Sequence, residues 1–208
     1  IFFSAHRSEN WELVSDEANI YSVNITTKEL TQITNEVGAE RSPSISPNGK
    51  MIAYSFEERR PLAYTPDQIA IMDMNGNNKR IISKDLDGDA DNIQWSDDNQ
   101  SIFFSYDERG IRKIGQVMLD GEIKNVTNGL GGTSLGRPYL SGSYHHSAEN
   151  IAFTYAEAHR PADVAVIRNG EEKILTQLNN DLLGHLKLGD INEIIYKSSF
   201  DDQEIQGW

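Results

Sequence analysis

The chain has 208 residues, of which 38% are hydrophobic, and a formal net charge of −13 at pH 7. This length and apolar content suffice for a sizeable core, whereas the negative charge disfavours nucleic acids and anionic bilayers as partners. The chain has no cysteine, which excludes disulfides and thiol chemistry. No run approaches the roughly 20 apolar residues that span a bilayer, and the compartment stays open between cytoplasm and periplasm.

A short apolar cassette recurs four times along the chain. Its starts lie at Ile1, Ile52, Ile102 and Ile151. Successive starts are separated by 51, 50 and 49 residues, and a period of this length indicates an array of supersecondary units. A second and a third apolar run follow each start. A further run precedes every start except the first, at residues 44–46, 92–95 and 137–140.

These runs have the composition of β-strands, because they are rich in β-branched and aromatic residues and are bounded by Asn, Gly, Asp and Pro. Four antiparallel strands repeated at about 40 to 50 residues are typical of β-propeller blades. We therefore predict an all-β chain that forms a partial β-propeller of about four four-stranded blades. The predicted blades span residues 1–35, 42–84, 91–128 and 137–178, and only residues 180–187 have helical spacing.

The repeat also predicts how the first blade is built. Ile1 falls within the second strand of a blade, so the first blade is expected to lack an innermost strand of its own. Native proteins avoid unpaired strand edges. We therefore expect the chain to be part of a longer protein.

An acidic turn is the candidate metal site. It contains four carboxylates at alternate positions around Gly88: Asp85, Asp87, Asp89 and Asp91. Calcium takes six to eight oxygen ligands, but the EF-hand spacing fails because it would put Ser83 at the first ligand position and Gln94 at the last. We favour a solvated acidic loop over a metal site, and we predict no cofactor.

Gly132–Gly136 matches G-x-S-x-G, the nucleophile elbow of α/β-hydrolases. That chemistry needs a serine on a sharp turn between a strand and a helix. In this chain Arg137, Pro138 and a predicted strand follow Ser134 instead of a helix. We interpret the segment as a glycine-rich connection between blades, so Ser134 is not assigned as a nucleophile.

The end of the chain carries more specific segments, namely residues 158–166, 173–179 and 197–208. Together they resemble the end of the propeller domain in serine peptidases of the prolyl oligopeptidase family, most closely the acylaminoacyl-peptidase and dipeptidyl-peptidase branch. In that family an Arg-Pro, a strand and a Leu-Thr-x-Leu-Asn ending precede a Lys-Ser-x-Asp-Gly-x-x-Ile-x-Gly-Trp strand. Asp202 departs from this pattern, because the family usually has glycine there.

The resemblance implies a division of the chain. Residues 1–180 would be the C-terminal part of a propeller, and residues 181–208 a linker with the first strands of a catalytic α/β-hydrolase domain, which begins near Glu193. The family's catalytic triad would lie beyond Trp208, so residues 1–208 would be catalytically inert on their own. The parent protein would hydrolyse short peptides, with a propeller that restricts access by size. The implied partners are the downstream catalytic domain and a peptide substrate.

Loops at one end of the propeller are the candidate gating residues. Because strands alternate in direction, residues 6–18, 57–67, 107–112 and 156–162 are expected to share a face with the links between blades. The candidates on this face are Glu57, Glu58, Arg59, Arg60, Tyr64 and Arg160. They either meet a peptidase domain and its substrate entrance or are solvent loops, and the sequence leaves both open.

A second function stays open as well. Non-enzymatic propellers that resemble TolB bind partner proteins at the channel mouth. The turns at residues 46–50 and 96–100 fit that group equally well. The sequence that follows Trp208 separates the two functions, since a nucleophile elbow with a later acid and histidine would establish the peptidase.

Overall fold

The apolar runs form five antiparallel sheets in a computed structural model, which describes residues 1–9, 11–14, 17–60, 62, 64–132 and 141–208. Blade 1 has three strands: β1 (Phe2–Ala5), β2 (Asn19–Val23) and β3 (Leu30–Gln32). Blade 2 has four strands: β4 (Gly38–Ile45), β5 (Met51–Glu58), β6 (Gln68–Asp73) and β7 (Arg80–Ile81).

Two further four-stranded sheets and a hairpin complete the chain. Blade 3 contains β8 (Asp91–Trp95), β9 (Ser101–Glu108), β10 (Ile111–Met118) and β11 (Ile123–Thr127). Blade 4 contains β12 (Tyr144–Ser147), β13 (Asn150–Glu157), β14 (Arg160–Arg168) and β15 (Glu171–Ile174). The one-turn helix α1 (Asn180–Leu183) leads to a C-terminal hairpin of β16 (Ile194–Lys197) and β17 (Glu204–Gly207).

The strands of each blade lie side by side in sequence order, as the repeat predicts. The three-stranded first sheet and the absence of a closed sheet in the described ranges agree with a partial propeller. The sequence did not predict β12, which pairs with β13 at the edge of blade 4. The predicted strand at residues 137–140 lies outside the described residues. Within the described ranges, no helix is long and apolar enough to cross a membrane.

Apolar side chains fill the spaces between successive blades. Ile20 and Ile52 lie between blades 1 and 2, Phe104 between blades 2 and 3, and Phe153 between blades 3 and 4. β9 is buried over six consecutive residues because a blade packs on each of its faces. This explains why the strand starts of the middle blades are continuous apolar runs instead of alternating patterns.

Hydroxyl side chains at the ends of three outer strands repeat along with the strands. Thr34, Ser83 and Thr176 each accept a hydrogen bond of 2.8 Å from a backbone N–H on the neighbouring strand of the same blade, β2, β6 or β14. In blades 1 and 2, the donor and the hydroxyl are buried. The Ile-Thr, Ile-Ser and Leu-Thr pairs in the sequence therefore mark where an outer strand ends and its last backbone donor is satisfied.

The innermost strands share a bulge. Ser42, Asn92 and Gly142 are spaced by 50 residues, and all have positive φ angles, of 53°, 52° and 150°. The strand register shifts beside the first two of them. Beyond the bulge, the Trp95 indole donates to the Ser44 carbonyl oxygen at 3.0 Å, so adjacent inner strands are joined by a side-chain hydrogen bond.

Candidate functional face of the propeller

The loops that follow the second strand of each blade meet the links between blades at one end of the propeller, which we call the loop face. It comprises residues 6–18, 57–67, 82–91, 107–112 and 156–162, so far as they are described. Arg59 of blade 2 pairs with Glu17 of blade 1 at 3.1 Å. Arg112 of blade 3 pairs at 2.9 Å with Asp91, at the end of the link from blade 2. The structure thus joins two of the predicted loops to each other and a third to the link between blades 2 and 3.

Blade 2 carries a charge network at the start of its loop. The Arg41 guanidinium on β4 lies 2.9 Å from a carboxylate oxygen of Glu57 and 3.8 Å from one of Asp67. Burial raises the pKa of the Asp67 carboxyl, although a hydrogen bond from Ser55 and the Arg41 charge favour its ionised form. Because Arg41 pairs with Glu57, the Glu57 carboxylate is held by the scaffold and is not a free group at the rim.

Tyr64 and Asp89 hold the loop of blade 2 against the link to blade 3. One oxygen of Asp89 accepts hydrogen bonds from the Tyr64 hydroxyl and the Asp67 backbone N–H, both at 2.9 Å. The Ala90 N–H donates back to the Asp67 carbonyl oxygen at 2.9 Å. Burial and the hydrogen bond to Asp89 raise the pKa of Tyr64 to about 12. This contact positions the backbone of the candidate gate.

Two of the four carboxylates of the acidic turn bind other groups of the propeller. Asp89 holds the loop of blade 2, and Asp91 pairs with Arg112, which also contacts Asp107 at 3.0 Å. All four aspartates are exposed. In the described ranges, no three metal-ligating side chains converge on one point, either in this turn or elsewhere.

Glu58 and Arg60 lie at the outer rim of the loop face. Their side chains are both more than half exposed and form an ion pair with each other. Exposed ion pairs contribute little to stability. These two side chains can therefore turn towards a ligand at little cost to the fold.

Arg160 of blade 4, like Arg60 of blade 2, lies shortly after the second strand of its blade. Its Nε lies 3.8 Å from an oxygen of the buried Asp163. The other Asp163 oxygen accepts hydrogen bonds of 2.8 Å from the Thr176 hydroxyl and the Leu178 N–H. Asp163 thus ties Arg160 to the end of the last outer strand.

Sequence reasoning missed three partners of these candidates, namely Arg41, Arg112 and Asp163. A signal was available for Asp163, because an aspartate interrupts the apolar residues of a strand. Arg41 and Arg112 lie near their carboxylates through strand register, which residue spacing does not supply. The serine of the elbow-like motif, Ser134, lies outside the described residues. Gly132 is described, and a Cβ there would lie 2.5 Å from that of Ala162, so close packing between blades requires this glycine.

The C-terminal hairpin contacts the loop face at the turn between β9 and β10. Gln206 donates its side-chain amide to the Arg109 carbonyl oxygen at 3.2 Å and to a Glu193 carboxylate oxygen at 2.6 Å. Trp208 lies against Gly110. The hairpin otherwise leaves large apolar side chains exposed: Ile194, Ile195, Tyr196 and Phe200. Asp202 has a φ of 58° in the hairpin turn, a conformation that explains the family's glycine and that aspartate tolerates.

Known proteins share this arrangement of blades to different extents. No family model matches the sequence. A curated relative, dipeptidyl-peptidase 5 of Porphyromonas gingivalis, is 25% identical over 118 residues, which cover 56% of this chain and 17% of the relative. An acylaminoacyl peptidase of Pyrococcus horikoshii superposes with a TM-score of 0.68 and 20% identity over 93% of this chain and 28% of its own.

This chain resembles the propeller domains of prolyl oligopeptidase-family peptidases. The β-propeller domain of the Trilobed protease from Pyrococcus furiosus matches with a TM-score of 0.58 and 18% identity, over 81% of this chain and 46% of that chain. TolB from Acinetobacter baumannii matches with a TM-score of 0.52 and 21% identity, over 76% of this chain and 38% of its own. The chain therefore spans less than a third of the length of dipeptidyl-peptidase 5 and of the acylaminoacyl peptidase.

Proposed function

We propose that this chain is the non-catalytic, substrate-gating propeller segment of a serine peptidase that hydrolyses short peptides. Residues 1–180 form the propeller part, and residues 181–208 form a linker and the first strands of a catalytic α/β-hydrolase domain in the same polypeptide. The C-terminal hairpin is the observation that carries this proposal.

The hairpin does not belong to any blade and is incomplete as a structure. A two-stranded hairpin is at best marginally stable in water, and Ile194, Ile195 and Tyr196 in β16 are each more than half exposed. These side chains need a covering layer. The match to acylaminoacyl peptidase covers 93% of this chain.

The loop face supports the gating role through its position and its charges. The same turn of blade 3 that contacts the hairpin adjoins the ion pairs of Arg112, so the loop face borders the start of the proposed catalytic domain. Its inner charges are held by the scaffold, whereas Glu58 and Arg60 are exposed at the rim. A substrate that reaches the catalytic domain past this face meets a fixed backbone with adjustable charged side chains.

The test uses the complete polypeptide and chromogenic peptides of increasing length. We expect hydrolysis of short peptides to exceed that of an unfolded protein, and the double variant Glu58→Ala/Arg60→Ala to raise kcat/KM for the longer peptides. Lys50→Ala, in a turn on the opposite side of blade 2, is the control and should change nothing. Equal rates for all lengths, or an equal effect of Lys50→Ala, would contradict gating by the loop face.

A scaffold related to TolB is the second candidate, supported by the TolB match and by the turn that the two groups share. In this turn the Ser46 hydroxyl accepts the Met51 N–H at 2.9 Å, and the Ser96 hydroxyl accepts the Ser101 N–H at 3.0 Å. The scaffold predicts a stable complex with a partner protein and no peptidase activity. Reading the sequence after Trp208 separates the candidates.

A further inference from the structure

We infer that the β9–β10 turn of blade 3 is a docking seat on which Trp208 fixes the C-terminal hairpin, and through it any following domain, at one position on the loop face. The seat consists of Arg109 and Gly110. Its effect on a following domain rests on the proposed function. The seat itself stands on contacts within this chain.

The contact between the hairpin and the propeller is narrow. Gln206 and Trp208 reach the turn, while every residue of β16 is exposed. Gln206 links two segments, since its amide nitrogen bonds the Arg109 carbonyl oxygen and the Glu193 carboxylate. A narrow contact leaves few other interactions to hold the hairpin, so the position of the hairpin depends on this turn.

Trp208 packs closely on Gly110. A Cβ added there would lie 3.2 Å from the Trp208 Nε1 and 3.4 Å from its Cζ2. The first distance is shorter than ordinary van der Waals contact, and the indole would have to move outward. The missing side chain thus makes room for the indole, which is still 59% exposed and available to a covering layer.

Gly110 also has a positive φ angle, which favours glycine. The effect of this backbone conformation must be separated from that of the contact with Trp208. Arg109 and Gly110 have φ angles of 49° and 69°, as a two-residue type I′ hairpin requires. The turn between β14 and β15 has the same form, with φ angles of 52° at Asn169 and 77° at Gly170. No atom lies within 4 Å of a Cβ built on Gly170. Substitution at Gly170 therefore tests backbone strain alone.

The experiment labels the chain with 5-fluorotryptophan and records ¹⁹F spectra of Gly110→Ala and Gly170→Ala. Trp→Phe variants assign the three resonances. Trp95 is buried, and Trp11 is distant from Trp208 in the sequence. Gly110→Ala should shift the Trp208 resonance towards that of a solvent-exposed indole. Gly170→Ala should leave it unchanged, although both variants carry the same backbone strain.

Hydrogen exchange of the β17 amides gives a second readout. Gly110→Ala and Trp208→Ala should each speed exchange over Glu204–Gly207 by on the order of tenfold. The double variant should exchange little faster than either single variant, because both substitutions remove the same contact. An unshifted Trp208 resonance in Gly110→Ala, an equal shift in Gly170→Ala, or additive exchange effects would overturn the seat.

These outcomes are independent of the proposed peptidase activity. If the complete polypeptide lacks that activity while the Trp208 resonance responds as described, the proposed function fails and the seat stands. If the polypeptide is an active peptidase and the resonance does not respond, the seat fails alone.

Discussion

At the scale of single residues, the loop face is organised by carboxylates whose partners lie on other strands. Asp89 accepts two hydrogen bonds, and Arg41 and Arg112 each contact two carboxylates. The sequence predicts that Glu57 and Tyr64 lie at one end of the propeller, because strand alternation fixes where loops emerge. It did not show that these residues serve the scaffold, because their partners are brought close by strand register and by the packing of one blade on the next.

Asp89 gives a direct test of this organisation. Asp89→Ala removes the acceptor of the Tyr64 hydroxyl and the Asp67 N–H and should lower the free energy of unfolding by about 1 kcal/mol, since both bonds are partly exposed. Asp89→Asn retains an acceptor oxygen and should cost less. Asp85→Asn, at an exposed position of the same turn, is the control for charge. Urea denaturation measures all three, and equal losses for Asp89→Ala and Asp85→Asn would refute the role.

Tyr64 should make stability sensitive to alkaline pH. Its pKa in the fold is about 12 against 10.0 in the unfolded chain, so the unfolded state loses the proton first. The stabilising contribution is fully present below pH 10 and is lost as the pH rises from 10 towards 12. Urea midpoints of the wild type and Tyr64→Phe should therefore converge or cross in that window, and a constant difference from pH 8 to pH 12 would contradict the shift.

At the scale of elements, the repeat predicted most of the strands because apolar runs and turn residues recur together. It missed β12, which reads Tyr-His-His-Ser and carries little apolar signal, while the nearby Pro138, Tyr139 and Leu140 have a composition closer to that of a strand start. Inner strands also make hydrogen bonds across blades, as Trp95 does. The spacing of positive φ angles at Ser42, Asn92 and Gly142 locates β12, but torsion angles cannot be read from composition.

We expect the hydroxyl that ends an outer strand to contribute substantially to the free energy of unfolding. Ser83→Ala leaves the buried Ile69 N–H without its acceptor and should cost about 1 to 3 kcal/mol. Thr34→Val should behave in the same way at Ile20. The exposed Thr31→Ala in β3 is the control. Thermal unfolding checks this prediction, and a Ser83→Ala variant as stable as Thr31→Ala would show that the bond does not matter.

At the scale of the whole molecule, four blades packed in a row are followed by a hairpin with exposed apolar side chains. The resemblance predicts a domain boundary at residue 180, because the motifs at residues 175–179 and 197–208 lie on either side of it, and this boundary stays a prediction.

Truncation after residue 180 tests the boundary. The shortened chain should unfold at nearly the same temperature as the full chain, because Gln206 and Trp208 contact the propeller at a single turn. It should also bind less of a hydrophobic dye, since Ile194, Ile195 and Phe200 are removed. Loss of cooperative unfolding on truncation would place residues 181–208 within the propeller.

The central claim is that a serine peptidase domain follows this propeller, and a fluorophosphonate probe tests it most directly. Treatment of the complete polypeptide, followed by digestion and mass spectrometry, should locate the modification on a single serine after Trp208, and labelling should abolish hydrolysis of short peptides. Labelling of Ser134, or a complete polypeptide that neither reacts with the probe nor cleaves peptides, would contradict the claim.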